Sequence, residues 1–182
     1  MSKLETNTID TISGSNTLTL GSSNLSTINM ASGVSPGTGM GKILQVIQGT
    51  TSTQVATTSV GYVDTGLSAS ITPSSSSNKI LILVQQSFRI FQNSAIVGGN
   101  IKLLRDTTDI YNETNDFGAY MRADGSSAIQ QYNSYCLNYL DSPSSTSSIT
   151  YKTQQTPYQS GDEFYTQPSS MDSSIILMEV SG

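Results

Sequence analysis

Lys79-Ile80-Leu81-Ile82-Leu83-Val84-Gln85-Gln86-Ser87-Phe88-Arg89-Ile90 is the most apolar run in the chain. Five consecutive aliphatics in a strand cannot all face one way, so this run reads as a central β-strand covered on both sides. The segments around it carry the same signal. Leu67, Ala69 and Ile71 alternate with small polar residues up to Pro73, which closes the strand. Ile43-Leu44-Gln45-Val46-Ile47-Gln48 reads as a mostly buried strand ending at Gly49, and Thr50 to Thr58 as a wet strand or loop. Further strands are read at Ser59–Gly66, at Gly98–Asp106 with a bulge or bend at its start, and at Gln131–Asp141, Ser148–Gln154, Asp162–Tyr165 and Ser174–Val180. The pair flanking Ser142-Pro143 is expected to form a hairpin across Ser144 to Ser147. Eight or nine strands with no helical pattern predict an all-β fold, most economically a two-sheet jelly roll or similar sandwich.

Composition narrows what such a sandwich does. Ser and Thr supply 54 of 182 residues, while charged residues are 12%, about half the usual share. Thr suits strands, so a β-protein can present Thr and Ser on its wet face without using charge. A disordered linker fits only short stretches such as Ser74-Ser75-Ser76-Ser77. There is no His and one Cys, Cys136, which reads as a buried inert thiol. These counts exclude His-based nucleophile systems, imidazole metal sites, an internal disulfide and a thiolate zinc cluster. A net charge of −5 with eight basic residues argues against a nucleic-acid surface. No apolar run reaches the ~20 residues of a membrane helix. The start Met1-Ser2-Lys3-Leu4-Glu5-Thr6 has no basic-then-apolar signal pattern, so the expectation is synthesis in a cytoplasm.

The chain is expected to divide near residue 41, into an arm over 1–40 and a sandwich over 41–182. The arm places Ile9, Ile12, Leu18, Leu20, Leu25 and Ile28 singly in a polar background punctuated by Gly14, Gly21 and Gly33. Each unit is a short strand closed by a small-residue turn. Such a strand buries too little apolar surface to offset its ordering entropy, and is stable only against copies of itself or a partner. Three chains wound about one axis meet that need. The competing reading is a free tail that orders only on docking. Val34-Ser35-Pro36-Gly37-Thr38-Gly39-Met40-Gly41 is the hinge between the two parts.

The run Gly41 to Gln48, followed by Gly61-Tyr62-Val63-Asp64-Thr65-Gly66-Leu67-Ser68-Ala69-Ser70-Ile71-Thr72-Pro73 and on through Ser74–Asn78 to Ile82, resembles a module of marine bacteriophage fibre and virion structural proteins. Tyr139-Leu140-Asp141-Ser142-Pro143, Thr150-Tyr151-Lys152-Thr153-Gln154 and Ile175–Val180 fit the same module, and Leu18-Thr19-Leu20-Gly21 is similar to the short β-repeats that often precede it. Ile90 to Gln131 matches no part of it. The resemblance implies a homotrimeric, non-enzymatic particle protein located in the virion. Its residues 1–40 would contact other virion proteins. A tail fibre and a capsid-decorating, head-fibre or other accessory protein both fit.

The richest candidate for recognition lies between Arg105 and Gly125. Asp109, Tyr111, Asn112, Asp116, Phe117 and Tyr120 combine carboxylates and amides with aromatic rings. That mixture suits a bacterial surface glycan, whose hydroxyls bond to Asp and Asn and whose apolar face stacks on rings. The alternative is a solvated loop whose rings pack back on the domain. Asp106, Asp109, Glu113 and Asp116 offer hard oxygens, but their spacing is not that of an EF-hand, so no metal and no cofactor are assigned. Tyr158, Asp162, Phe164 and Tyr165 form a second candidate, with Gly161-Asp162 reading equally as the turn before a strand.

Overall fold

The computed structural model describes residues 42–92, 96–112, 118–122 and 128–182, with Ile129 as backbone only. All of them belong to the second of the chain's two units, Gly41–Gly182. The arm residues Ile9, Ile12, Leu18, Leu20, Leu25 and Ile28 lie outside the described residues, as do Asp116 and Phe117.

Among the described residues there are eleven strands and no α-helix. The strands are β1 Ile43–Thr51, β2 Val55–Thr57, β3 Val63–Ile71, β4 Lys79–Gln92, β5 Ile96–Arg105, β6 Thr108–Tyr111, β7 Ala119–Arg122, β8 Ile129–Asp141, β9 Ile149–Pro157, β10 Glu163–Thr166 and β11 Ser173–Val180. A single 3-10 turn, Pro168–Ser170, separates the last two. All the pairings are antiparallel and make two sheets, a β-sandwich.

Three pairs of strands are collinear pieces of one lane. β1 and β2 run along β11 and β10 in turn, β10 and β11 share one edge of β4, and β6 and β7 share one edge of β5. The eleven pieces therefore occupy eight lanes. In chain order, lane 1 pairs with 8, 2 with 7, 3 with 6 and 4 with 5. The first sheet reads 1-8-3-6 and the second 2-7-4-5. This is a jelly roll, a folded ladder whose first and last lanes lie side by side.

The alternation read at Leu67, Ala69 and Ile71 is the buried face of β3, and β4 is the central strand of the first sheet. β3 pairs with β9 on both sides of a bulge between Asp64 and Ser68, where Gly66 takes φ 81. The expected hairpin between β8 and β9 does not form. β8 pairs with β4 over Ile80 to Gln92 in the first sheet, whereas β9 crosses to lie between β3 and β5 in the second. A thirteen-residue match along β4 outweighs a short local hairpin, and Ser144 at φ 51 turns the chain across the sandwich instead. β1 runs on past Gly49 to Thr51 and is not mostly buried, because it is an edge lane whose outward side chains stay exposed. Cys136 is likewise exposed rather than buried: it points outward on edge lane 6, one step out of phase with Leu137, which faces in.

Two apolar clusters fill the space between the sheets. One gathers Leu67, Ile71, Ile80, Ile82, Val84, Leu103, Tyr151, Ile175 and Leu177 among others. The other is built on Phe88, Ile90, Val97, Ile101, Ala119 and Phe164, with Phe88 and Phe164 stacked at 5.6 Å. A belt of buried, uncharged polar side chains lies between them. Thr65 and Thr153 hydroxyls meet at 2.6 Å, Thr153 donates to Gln86 Oε1 at 2.8 Å, and Gln86 Nε2 donates to Ser173 Oγ at 3.0 Å. Burying hydroxyls and amides that satisfy one another costs far less than burying ions. This is where part of the Ser/Thr-rich, charge-poor composition goes.

The ends of the sandwich are tied by carboxylates. Glu179 accepts from Ser74 N, Ser74 Oγ, Asn78 Nδ2 and Gln45 Nε2 at 2.6 to 2.7 Å. The serine run 74–77 is thus an anchored turn, not a linker. Asp141 on β8 accepts two bonds from Arg105 on β5, at 2.9 and 3.0 Å, and one from the Tyr151 hydroxyl on β9 at 2.7 Å, so it clamps the first sheet to the second.

Candidate recognition surface

The outer face of the second sheet collects Asp109, Asn112 and Tyr120, three of the four described members of the predicted site. Alternation along β5 turns Asn100 and Lys102 outward, while Ile101 and Leu103 fill the core. Lys102 Nζ lies 2.9 Å from the Asp109 carboxylate on the neighbouring β6 and 4.2 Å above the Tyr62 ring. The Tyr62 hydroxyl donates to Asn112 Oδ1 at 2.9 Å and accepts from Asn100 Nδ2 at 3.2 Å. Asn100 also reaches Asn112 Oδ1 at 3.4 Å. Asp109 and Asn112, predicted from sequence, are thereby joined to Tyr62, Asn100 and Lys102, which the sequence reading treated only as strand residues. The available signal was the outward phase of residues 100 and 102 on β5. It becomes informative only once lane 5 is known to lie beside them.

Tyr120 on β7 stands opposite Gly98, one outward step along β5 from Asn100. It is 39% exposed and meets Tyr158, 37% exposed, edge to face at 5.6 Å. Tyr111 behaves differently: its ring packs on the larger core cluster and against Tyr139 at 6.2 Å. The second candidate does not assemble into a surface. Asp162 is buried and accepts from Gly98 N, Gln92 Nε2 and Gln159 Nε2, Phe164 lies in the core, and Tyr165 faces outward from the first sheet. Gly161 at φ 94 and Asp162 are the turn that sets β10.

The chemistry on offer is hydrogen bonding and ring contact. Asp64, which accepts from Lys152 and Gln154 at 2.9 and 2.7 Å, extends this polar face across β9 to β3. Burial pushes its carboxyl up, but those two donors more than offset this and leave the pKa below the ordinary carboxylate value. The depression beside Asp64, Gly66 and Lys152 holds about 70 Å³, well under the roughly 300 Å³ of small-molecule pockets. Among the described residues no three His, Cys, Asp or Glu side chains converge as metal ligands, and no helix is long and apolar enough to cross a membrane.

On the outer face of the first sheet, Arg89 sits in one row with Tyr165 and Tyr132, its guanidinium 3.9 Å and 5.9 Å from their ring centres and 3.5 Å from Glu163. The Arg89 contact lowers the Tyr132 phenol pKa, while the Glu163 contact raises that of Tyr165.

Comparison with protein families and with curated proteins yields no match. Solved structures that align with this chain include T=1 particles of a mutant VP2 protein of infectious bursal disease virus, at 12% identity and TM-score 0.34 over 74% of this chain and 36% of that one. The VP2 subviral particle of the same virus aligns at 11% identity and TM-score 0.34 over 76% and 40%, and the Gx strain at 16% and 0.35 over 77% and 33%. The chain spans about a third to two-fifths of the length of these proteins.

Proposed function

We propose that this chain is a non-enzymatic virion structural protein of a bacteriophage, a homotrimeric tail fibre whose sandwich contacts a bacterial surface glycan and whose residues 1–40 attach to other virion proteins. The sequence resemblance supports the particle role, and jelly rolls recur in capsid and lectin domains, an analogy at the level of fold. The residues that carry the resemblance include the tie points of the fold: Ser74, Asn78, Asp141, Tyr151 and Glu179. They specify the module and leave the receptor to the outer faces.

The observation that carries the glycan reading is Asn112, held by the buried Asn100, and the Lys102–Asp109 pair beside the exposed Tyr120–Tyr158 rings. Amides and a carboxylate bond sugar hydroxyls, and a ring stacks on the apolar sugar face. Each contact is weak, and three copies on one fibre multiply it. The test is binding of the full-length assembled protein to host cells and to their isolated polysaccharide. Tyr120→Ala and Asn112→Ala are each expected to weaken binding about 10-fold. Assembled protein that binds neither cells nor polysaccharide removes the receptor role. A capsid-decorating or head-fibre protein is the second reading, motivated by an arm of spaced aliphatics that suits strand addition to another protein's sheet. Hundreds of copies on the head select it, and a few trimers per tail select the fibre.

A further inference from the structure

The two outer faces of the sandwich differ in kind. The face of the second sheet is wet and bears the ion pairs Lys102–Asp109 and Lys152–Asp64. On the first sheet, Val46, Met178, Leu81 and Leu140 stand side by side across all four lanes as one outward row. The next row adds Ile176 and Leu83, and the one after it is neutral and polar, ending at Cys136. No charged side chain interrupts these three rows. Val46 is 55% and Leu140 51% exposed. An antiparallel sheet with one face on the core ordinarily turns its other face to water with polar residues. Five consecutive aliphatics call for cover on both sides, yet among the described residues no element packs on the outward half of the Ile80–Val84 run.

We infer that this face docks a second copy of the chain. Four lanes at ~4.8 Å and three rows at ~6.7 Å give a patch of roughly 20 by 20 Å. That is about half the ~800 Å² per partner of a standard interface, the apolar centre of one before its rim is added. Turned toward one threefold axis, the same faces of the three copies bury only apolar and neutral polar groups against one another, so no ion loses its water. Val46 lies four residues from Lys42, where the chain enters the sandwich. Arms that associate through their spaced aliphatics therefore deliver these faces to one another at high effective concentration. The inference rests on the self-association in the proposed function and names its surface.

The test uses the full chain and its single native thiol. Cys136 is exposed on β8 at the border of the patch, so docking covers it. Mass by light scattering is measured together with the rate at which a chromogenic disulfide reagent labels the thiol. The expected result is an oligomer whose Cys136 labels at least ~10-fold more slowly than in Leu140→Glu, since labelling follows access. Val46→Glu is the second variant, with circular dichroism confirming the fold of each. An oligomer whose thiol labels as fast as in the folded variants overturns this surface and leaves self-association intact. A monomer with a freely labelled thiol overturns both. A monomer with a protected thiol overturns the second copy as occupant, because the chain then covers its own face.

Discussion

Glu179→Gln isolates the tie between the end of β11 and the serine turn. Burial of the carboxylate would raise its pKa, but the donors of Asn78, Gln45 and Ser74 outweigh burial and bring it from 4.5 down to about 2. A folded-state pKa below the unfolded value adds stability that is fully present above pH 4.5 and is lost as pH falls from 4.5 toward 2. At ~1.4 kcal/mol per pH unit the displacement is worth about 3 kcal/mol, and screening by solvent at the end of the sandwich reduces this to ~1.5–2 kcal/mol. Glutamine keeps the shape but presents an NH₂ to one of the four donors, so the loss at pH 7 should be of that size. The assay is urea unfolding of both proteins at one fixed protein concentration, at pH 7, 5, 4, 3 and 2.5, since any oligomer makes stability concentration-dependent. The two stabilities should differ by ~1.5–2 kcal/mol at pH 7 and 5 and converge toward pH 2.5. A difference below ~0.5 kcal/mol at pH 7, or one that stays constant down to pH 2.5, refutes the account of Glu179 as the charged hub of that turn.

Gly99→Ala tests the packing where β5 faces β10. A Cβ there would run into the Phe164 ring and lie 2.7 Å from Thr156 O, so a loss of ~1–3 kcal/mol is expected in thermal unfolding. A neutral result would mean that the Phe88–Phe164 stack shifts freely. Tyr151 tests the clamp between the sheets. Burial, then the Asp141 bond, push its phenol far above the ordinary value of 10, so it should stay protonated when other tyrosines ionise in an alkaline absorbance titration. Because the unfolded phenol ionises near 10, stability should fall as pH rises above that value. In the same clamp Asp141→Asn should cost ~2–4 kcal/mol, as it leaves Arg105 without its carboxylate. Ionisation of all nine tyrosines near pH 10 in the folded protein would sink this reading.

Jelly-roll topology makes much of this architecture depend on distant partners. Ile43 pairs with Val180 and Lys79 with the same residue from the other side, spans that no local pattern encodes. Alternation at Leu67, Ala69 and Ile71, and the length of the Lys79–Ile90 run, made an all-β sandwich with β4 at its centre legible from the chain alone. Period two states which side chains share a face, and burying that face is what makes a strand. It does not state which strand lies beside it. Hence the β8–β9 hairpin, the burial of β1 and the burial of Cys136 were misjudged, each because an edge position cannot be told from an inner one before the lanes are assembled. The same holds for the candidate surface. Asp109, Asn112 and Tyr120 stood out by residue type in a polar stretch, whereas Tyr62, Asn100 and Lys102 join them only because folding sets β5 beside β6 and β7 and brings the Tyr62 hydroxyl to Asn112. Residue chemistry is local and can be read along the chain. Proximity is a property of packing, set by the one arrangement of lanes that buries both apolar clusters and satisfies the polar belt between them.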